Sequence, residues 1–158
     1  MDEATKKEAL RLFTYGLYAV TTGTTAAVSA FTANWLSQVS FDPPLVVVSV
    51  ENIAHSLPVI QVTGHFAINV LSDDQRELAG RLGKRFSQSP EKAQGLTYAA
   101  GTSGCPLLLD ALASVECAVE AQLPAGDSTL ILGRVIHVVA HRAGEPLTMR
   151  AAGFKHAG

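Results

Sequence analysis

Charged residues make up only 16% of this 158-residue chain, cysteine occurs twice and tryptophan once. Each shortage excludes something. Cys105 and Cys117 stand twelve positions apart with no C-x-x-C, so neither a zinc ribbon nor a thioredoxin-type dithiol is supported. The net charge is −2 and no run of Lys and Arg occurs, which leaves nucleic acid without the basic residues that neutralise its phosphates. No apolar stretch approaches the roughly 20 residues that cross a bilayer. The opening MDEATKKEALRLF is charged where a secretory signal is apolar, so the cytosol is the expected compartment, without membrane association. G-x-S-x-G, H-E-x-x-H and G-x-G-x-x-G are all missing, and with them the signals of nucleophile elbows, zincins and classical dinucleotide folds. His137 and His141 would share a helix face, but in a strand four residues span about 13 Å, too far to grip one metal ion.

Apolar residues, by contrast, reach 47% in a 16.6 kDa chain. That suits one domain over residues 1–158, with more apolar surface than a lone small domain buries, so a homodimer is expected. Ala4, Leu10 and Phe13 recur at helical intervals behind two acids, predicting a helix over about residues 3 to 13. Strands follow. LYAVTT, TAAVSAF and LVVVSV are rich in β-branched residues and are separated by Gly23 or by Asp42-Pro43-Pro44. Pro58 lies two residues after Ser56, which marks Ser56 as the cap of a helix running through LPVIQVT. HFAINVL predicts the next strand. DDQRELAGRLGK predicts a helix, with acids at its start, Leu78 and Leu82 on one face and a basic end.

Beyond a polar loop, SQSPEKAQG, the segments ASVECAVEAQL and STLILGRVIHVVAH predict a hairpin across Gly126-Asp127. In the first of them Cys117 shares a face with Val115 and Val119 and reads as core, while Glu116 and Glu120 share the other with Ser114 and Gln122 and read as solvated. The fold class expected is mainly β with marginal helices, its antiparallel sheet closing into a small Greek-key-like barrel that removes the edges. Protein side chains offer no obvious catalytic set, which points to a bound cofactor that brings its own reactive atoms.

AVTT (19–22), FTANWLSQVSFDPPLVVVSV (31–50), HSLP (55–58), HFAINVLSDDQ (65–75), GCPLL (104–108) and GDSTLILGRV (126–135) stand in an order that resembles the flavin reductase-like family, especially its flavoredoxin-type members and the modules attached to diiron flavoproteins. The likeness runs from about Tyr15 to Phe154. It implies an FMN-binding split barrel, a homodimer, and NADH or NADPH as electron donor. A flavin mononucleotide requires apolar walls, main-chain donors, hydroxyls and a positive pole for its phosphate. Thr32, Ala33, Asn34 and Trp35 match the family segment that holds the flavin, with Trp35 either walling the ring or filling core. Ser37 and Gln38 reach the polyol or phosphate, or satisfy only local backbone. Ser49, Asn52, His55 and Ser56 lead into a helix entrance suited to the phosphate, where relatives often carry Arg or Lys in place of His55. Lys84 or Arg85 supplies a cation there or pairs with its own helix end. Asn69 and Leu71 match a strand that borders the ring, Asn69 being otherwise a buried amide. Phe154 stands where relatives carry an aromatic, over a neighbouring subunit's flavin or as a plain anchor.

One departure bears on mechanism. Many relatives read Gly-Asp-His where this chain reads Gly126-Asp127-Ser128, so the nicotinamide-side position carries no imidazole. The expected function is an NAD(P)H:flavin oxidoreductase that passes electrons through FMN to a flavin, a ferric chelate or a protein acceptor. The alternative is a non-enzymatic FMN carrier reduced by a partner protein. An oxidase of pyridoxamine-like substrates is disfavoured, since its phosphate-bearing substrate calls for more Arg and Lys.

Overall fold

Residues 1–156 are described by a computed structural model. Along the chain run α1 (Glu3–Leu10), β1 (Tyr18–Thr24), β2 (Ala27–Ala33), β3 (Leu36–Phe41), β4 (Pro44–Glu51), α2 (Ser56–Thr63), β5 (His65–Val70), α3 (Arg76–Leu82), β6 (Tyr98–Ala100), β7 (Pro106–Leu108), β8 (Ala113–Ala125), β9 (Ser128–Ala140) and α4 (Met149–Ala152). Seven strands form one antiparallel sheet in the order β2-β1-β5-β8-β9-β4-β3, and β6 and β7 form a separate ribbon. The predicted hairpin is β8–β9, with Ala125 opposite Ser128 and Gly126 in the left-handed region at φ 67°. Among the described residues no helix is long and apolar enough to cross a membrane.

The closed barrel expected from sequence is corrected by this topology: no ladder joins β2 to β3, the two ends of the sheet. These strands are nonetheless consecutive, linked only through Asn34 and Trp35. Three residue steps span about 10 Å at most, so the sheet has to curl until its ends nearly meet. At the seam the chain crosses straight to β4: Leu36 N–H donates to Asn34 O (3.1 Å) and Ser49 N–H to Trp35 O (3.0 Å). The outer edge of β2 therefore stays unladdered.

Alternation drives the packing. Val46, Val48 and Val50 of β4 point inward beside Val20, Phe66 and Ile131, with Ile60 of α2 in the same cluster. Each fully buried side chain of this kind contributes roughly 1.5–3 kcal/mol. Cys117 lies there too, with Val115 and Val119 packed against the cluster. A second cluster joins Leu17, Leu71, Leu82, Leu108 and Leu147. Phe66 presses so closely on β9 that a Cβ at Gly133 would stand 2.5 Å from its ring, which only glycine allows.

Three local expectations change. Glu116 is not solvated: it is fully buried, and its carboxylate accepts hydrogen bonds from the backbone N–H groups of Thr102 and Ser103 (2.8 Å each) and from both hydroxyls. The cause is the β6–β7 ribbon, built from a segment with no strong period, which covers that face of the sheet; Leu107 and Cys105 pack there with Ala67. Glu120 and Gln122, beyond the ribbon, stay exposed and pair with Arg134 and Gln61. Ser56 is not a side-chain cap. The N-cap position is His55, and the Ser56 hydroxyl lies 2.8 Å from that of Ser29 on β2. Finally, α1 is capped by Asp2, which accepts from Thr5 N–H (2.8 Å), and it ends at Leu10 with no residue buried. Phe13 lies outside it, 60% exposed.

Candidate functional site

The unladdered edge of β2 borders a cavity of about 1020 Å³. Its other walls are the end of β4, the start of α2, the C-terminal half of α3 with the loop that follows, and the chain beyond α4. Small residues make the room: Ala33 on β2, Ala79, Gly80 and Gly83 on α3. A Cβ at Gly83 would stand 3.3 Å from Ala79 O. Thr32 ties β2 to α3 by donating its hydroxyl to Ala79 O.

Eleven of the residues singled out from sequence line this cavity together: Thr32, Ala33, Asn34 and Trp35 from β2 and the seam, Ser49 from β4, His55 and Ser56 from the entrance of α2, then Lys84, Arg85, Ser128 and Phe154. Asn34 Nδ2 donates to Met149 Sδ (3.0 Å) and His156 O (3.2 Å), which fastens the C-terminal segment across the seam. Trp35 is partly exposed and faces the His156 ring, with centroids 5.4 Å apart. Phe154 lies under the Arg76 guanidinium, 5.2 Å from its ring centre. At the entrance of α2, His55 stacks on Phe86 (3.8 Å between centroids, 11° between planes), and its Nδ1 lies 3.1 Å from Ser29 Oγ.

Five other residues lie outside it. Ser37 and Gln38 are exposed on β3 and bond locally, to Gln38 O (3.0 Å) and Ser40 O (3.1 Å). Asn52 fastens the β8–β9 turn: its Nδ2 donates to Gly126 O (3.3 Å) and its Oδ1 accepts from Thr129 (2.8 Å). Asn69 is fully buried within the sheet, and Leu71 belongs to the core with Leu17 and Leu108. In each case strand alternation or a local partner turns the side chain away from the β2 edge.

Charge is unevenly spread. Among the described residues Lys84, Arg85, Lys92 and Lys155 line the cavity against a single carboxylate, Glu51, in a chain whose net charge is −2. The site is therefore an attractive field for an anion. Lys92 is buried to 8% exposure, and its ammonium donates to Leu82 O (2.8 Å) and Lys84 O (2.7 Å). It thereby holds the end of α3 and the loop carrying Lys84 and Arg85. Burial keeps the Lys92 ammonium below the usual lysine range. Ser128 is 3% exposed, and its hydroxyl donates to Asp127 Oδ1 (3.2 Å).

A cavity walled by small and aromatic side chains, bordered by a free strand edge and lined by cations, has the chemistry that suits a flat anionic ligand. Comparison with known proteins gives it a family. Residues 10–158 match the family described as flavin reductase like domain. The chain belongs to that family. Among curated relatives, the FMN reductase (NADH) SmoA of Agrobacterium fabrum is 36% identical over 148 residues, covering 94% of this chain and 82% of SmoA. The solved flavin reductase PheA2 is 33% identical with a TM-score of 0.83, covering 100% of this chain and 99% of PheA2. The flavin reductase component BorF of a bacterial two-component tryptophan halogenase is 30% identical with a TM-score of 0.82, covering 99% and 98%.

For this member of the flavin reductase like domain family, several cavity residues escape sequence reading. Ser29 sits inside a strand pattern. Lys92 falls in what reads as a polar loop, Phe86 between that loop and the predicted helix before it, and His156 near the chain end. The small residues Ala79, Gly80 and Gly83, spaced along one helical pattern, are the single signal that this helix leaves room beside it.

Proposed function

We propose that this chain is an NAD(P)H-dependent flavin reductase that holds FMN in the cavity along β2 and passes electrons to a free flavin, a ferric chelate or a partner protein. The carrying observation is the cavity itself: four Lys or Arg side chains and the α2 entrance against one carboxylate, beside an apolar wall and an unladdered strand edge. The residues fit the group. Ala33, Trp35 and Phe154 offer walls for a flat ring, the free edge of β2 offers main-chain donors and acceptors to its polar rim, and Lys84, Arg85 and the hydroxyls of Ser29 and Ser56 beside the α2 entrance suit a phosphate. The flavin, when bound, supplies the hydride-accepting ring. What the chain contributes is grip and orientation, and the exclusion of water from the apolar wall.

Reductases among its relatives, SmoA, PheA2 and BorF, support the enzyme reading over the carrier. BorF, as the reductase component of a two-component halogenase, supports a protein or flavin acceptor. FMN is the flavin we favour because Phe86, which directly follows Lys84 and Arg85 in the chain, stacks on His55 at the α2 entrance and so brings two cations near the place where a terminal phosphate would sit. The exposed Phe41 (91%) and Val62 (87%) support a homodimer of one-domain subunits, and use of reduced nicotinamide supports the cytosol.

Flavin titration tests the reading. FMN should bind at least about tenfold more tightly than riboflavin, which lacks the phosphate, a difference of about 1.4 kcal/mol. Lys84→Ala with Arg85→Ala should narrow that gap. Equal dissociation constants for FMN and riboflavin would remove the phosphate site, and a failure of FMN-loaded protein to oxidise NADH or NADPH would remove the enzyme.

A further inference from the structure

The cavity mouth beside Ser128 has no imidazole from the β9 turn, yet one arrives there from elsewhere. Of the chain's five histidines, His65 bonds Thr63 O (2.8 Å), His141 pairs with Ser114 (2.9 Å), and His137 lies on β9 opposite Glu116. Only His55 and His156 line the cavity among the described residues. His55 is committed, stacked on Phe86 and bonded to Ser29. His156 is not buried in such a set.

Three contacts hold the His156 ring at the mouth. Its main-chain carbonyl accepts from Asn34 (3.2 Å), its ring faces Trp35 at 5.4 Å, and its Nε2 lies 3.9 Å from Glu51 Oε1. Glu51 in turn is the ladder partner of Ser128, directly across β4 and β9. The C-terminal segment thus brings an imidazole to the strand pair that carries Ser128. Both side chains of the pair are about half exposed, 57% for His156 and 51% for Glu51, so the ring is open to an incoming molecule. A neutral imidazole carries one acceptor nitrogen, the complement of an amide N–H. Ser128 is 3% exposed, and its hydroxyl hydrogen is given to Asp127.

We propose that His156, oriented by Glu51 and Trp35, is the residue that receives the carboxamide of the reduced nicotinamide at the cavity mouth. This rests on the flavin reductase reading above. His156 is then a donor-positioning residue, with no part in holding the flavin.

The test uses FMN-loaded protein, with NAD⁺ titrated calorimetrically so that both partners are oxidised and no electron moves, alongside steady-state kinetics with NADH. His156→Ala should weaken NAD⁺ and raise KM for NADH by about tenfold, the size of one good hydrogen bond, with kcat changed far less and the FMN dissociation constant within about twofold. His156→Gln keeps an amide acceptor and should recover most of the loss. Unchanged NAD⁺ affinity in His156→Ala would overturn the proposal, as would an equal loss of FMN affinity, which would make His156 a flavin contact. A wild-type protein that takes up no FMN overturns the flavin reductase reading instead, before any variant is made.

Discussion

Asn34 and Asn69 have the same side chain and both stand out in apolar surroundings, but they sit in opposite kinds of place. Asn69 is fully buried, and every polar valence is used inside the sheet: Nδ2 donates to Ala19 O (2.9 Å) and Thr21 Oγ1 (3.0 Å), while Oδ1 accepts from Leu108 N–H (2.8 Å) and Ser114 (2.7 Å). It stitches β1, β5, β7 and β8 together. Asn34 sits at the seam between the two sheet ends, half exposed, with a thioether and one carbonyl as partners and its Oδ1 uncommitted among the hydrogen bonds of the described residues. A polar residue in an apolar run therefore has two meanings. Where the fold saturates it, it is structural; where the fold leaves it an open valence on a cavity, it is available to a ligand.

Substituting each to alanine should separate the two meanings most sharply. Asn69→Ala leaves buried donors and acceptors on three strands, β1, β7 and β8, without their shared partner, at a cost of about 2–4 kcal/mol. The melting temperature should fall by many degrees while FMN affinity, measured where the protein is still folded, stays close to wild type. Asn34→Ala should do the reverse, with stability changed by less than about 1 kcal/mol and FMN binding weakened severalfold. If Asn69→Ala melts like wild type, the contrast between the two sites collapses.

Glu116 belongs with Asn69. A Cβ at Gly101 would stand 2.5 Å from its Oε1, so the loop over it closes onto the carboxylate. Burial by itself would raise the Glu116 pKa, but the hydrogen bonds from Ser103 and Thr102 together bring it below the ordinary glutamate value of 4.5. A carboxylate with a depressed folded pKa contributes stability that is fully present above the unfolded value and drains away as pH falls through the folded one. Glu116→Gln turns one acceptor into a donor facing donors, costing about 2 kcal/mol at neutral pH. The stability difference between wild type and variant should shrink steadily as pH drops below 4.5. A difference that is flat from pH 7 to pH 3 would show that the Glu116 pKa is the same in the folded and unfolded protein, and one that grows as pH falls would show that folding raises it.

The same contrast explains what was legible in the sequence. Periodicity and turn residues expose β1, β2, β4, β5, the β8–β9 hairpin and α3, because each carries a period set by one buried face. They miss β3, an edge strand with no buried residue to set a period, and β6 and β7, three residues each, whose placement depends on the face they cover and not on any pattern of their own; it is the ribbon that matters for Glu116. That one omission turns Glu116 from core into apparent surface. Closure is also unreadable locally: whether the ends of a curled sheet pair depends on where the Asn34-Trp35 link sends the chain, a question of register between strands distant in sequence. At the site, the segment 31–35 is found because its residues are contiguous, whereas Ser29, Lys92 and His156 meet it only through folding.

The smallest effect expected is at Ser37 and Gln38, and it sharpens the comparison from the opposite side. Both stand just past Trp35, after Leu36, and carry the hydroxyl and amide that a polyol or phosphate would want. However, β3 is the edge strand at the far end of the sheet, and its side chains project to solvent, where each bonds to a carbonyl within two residues. An exposed local hydrogen bond competes with water and adds little, and surface substitutions of this kind usually stay within about 0.5 kcal/mol. Ser37→Ala with Gln38→Ala should therefore leave the melting temperature and the FMN dissociation constant nearly unchanged. A severalfold loss of FMN affinity in that double variant would mean that the ligand reaches around the seam onto β3, and the cavity along β2 would no longer bound the site.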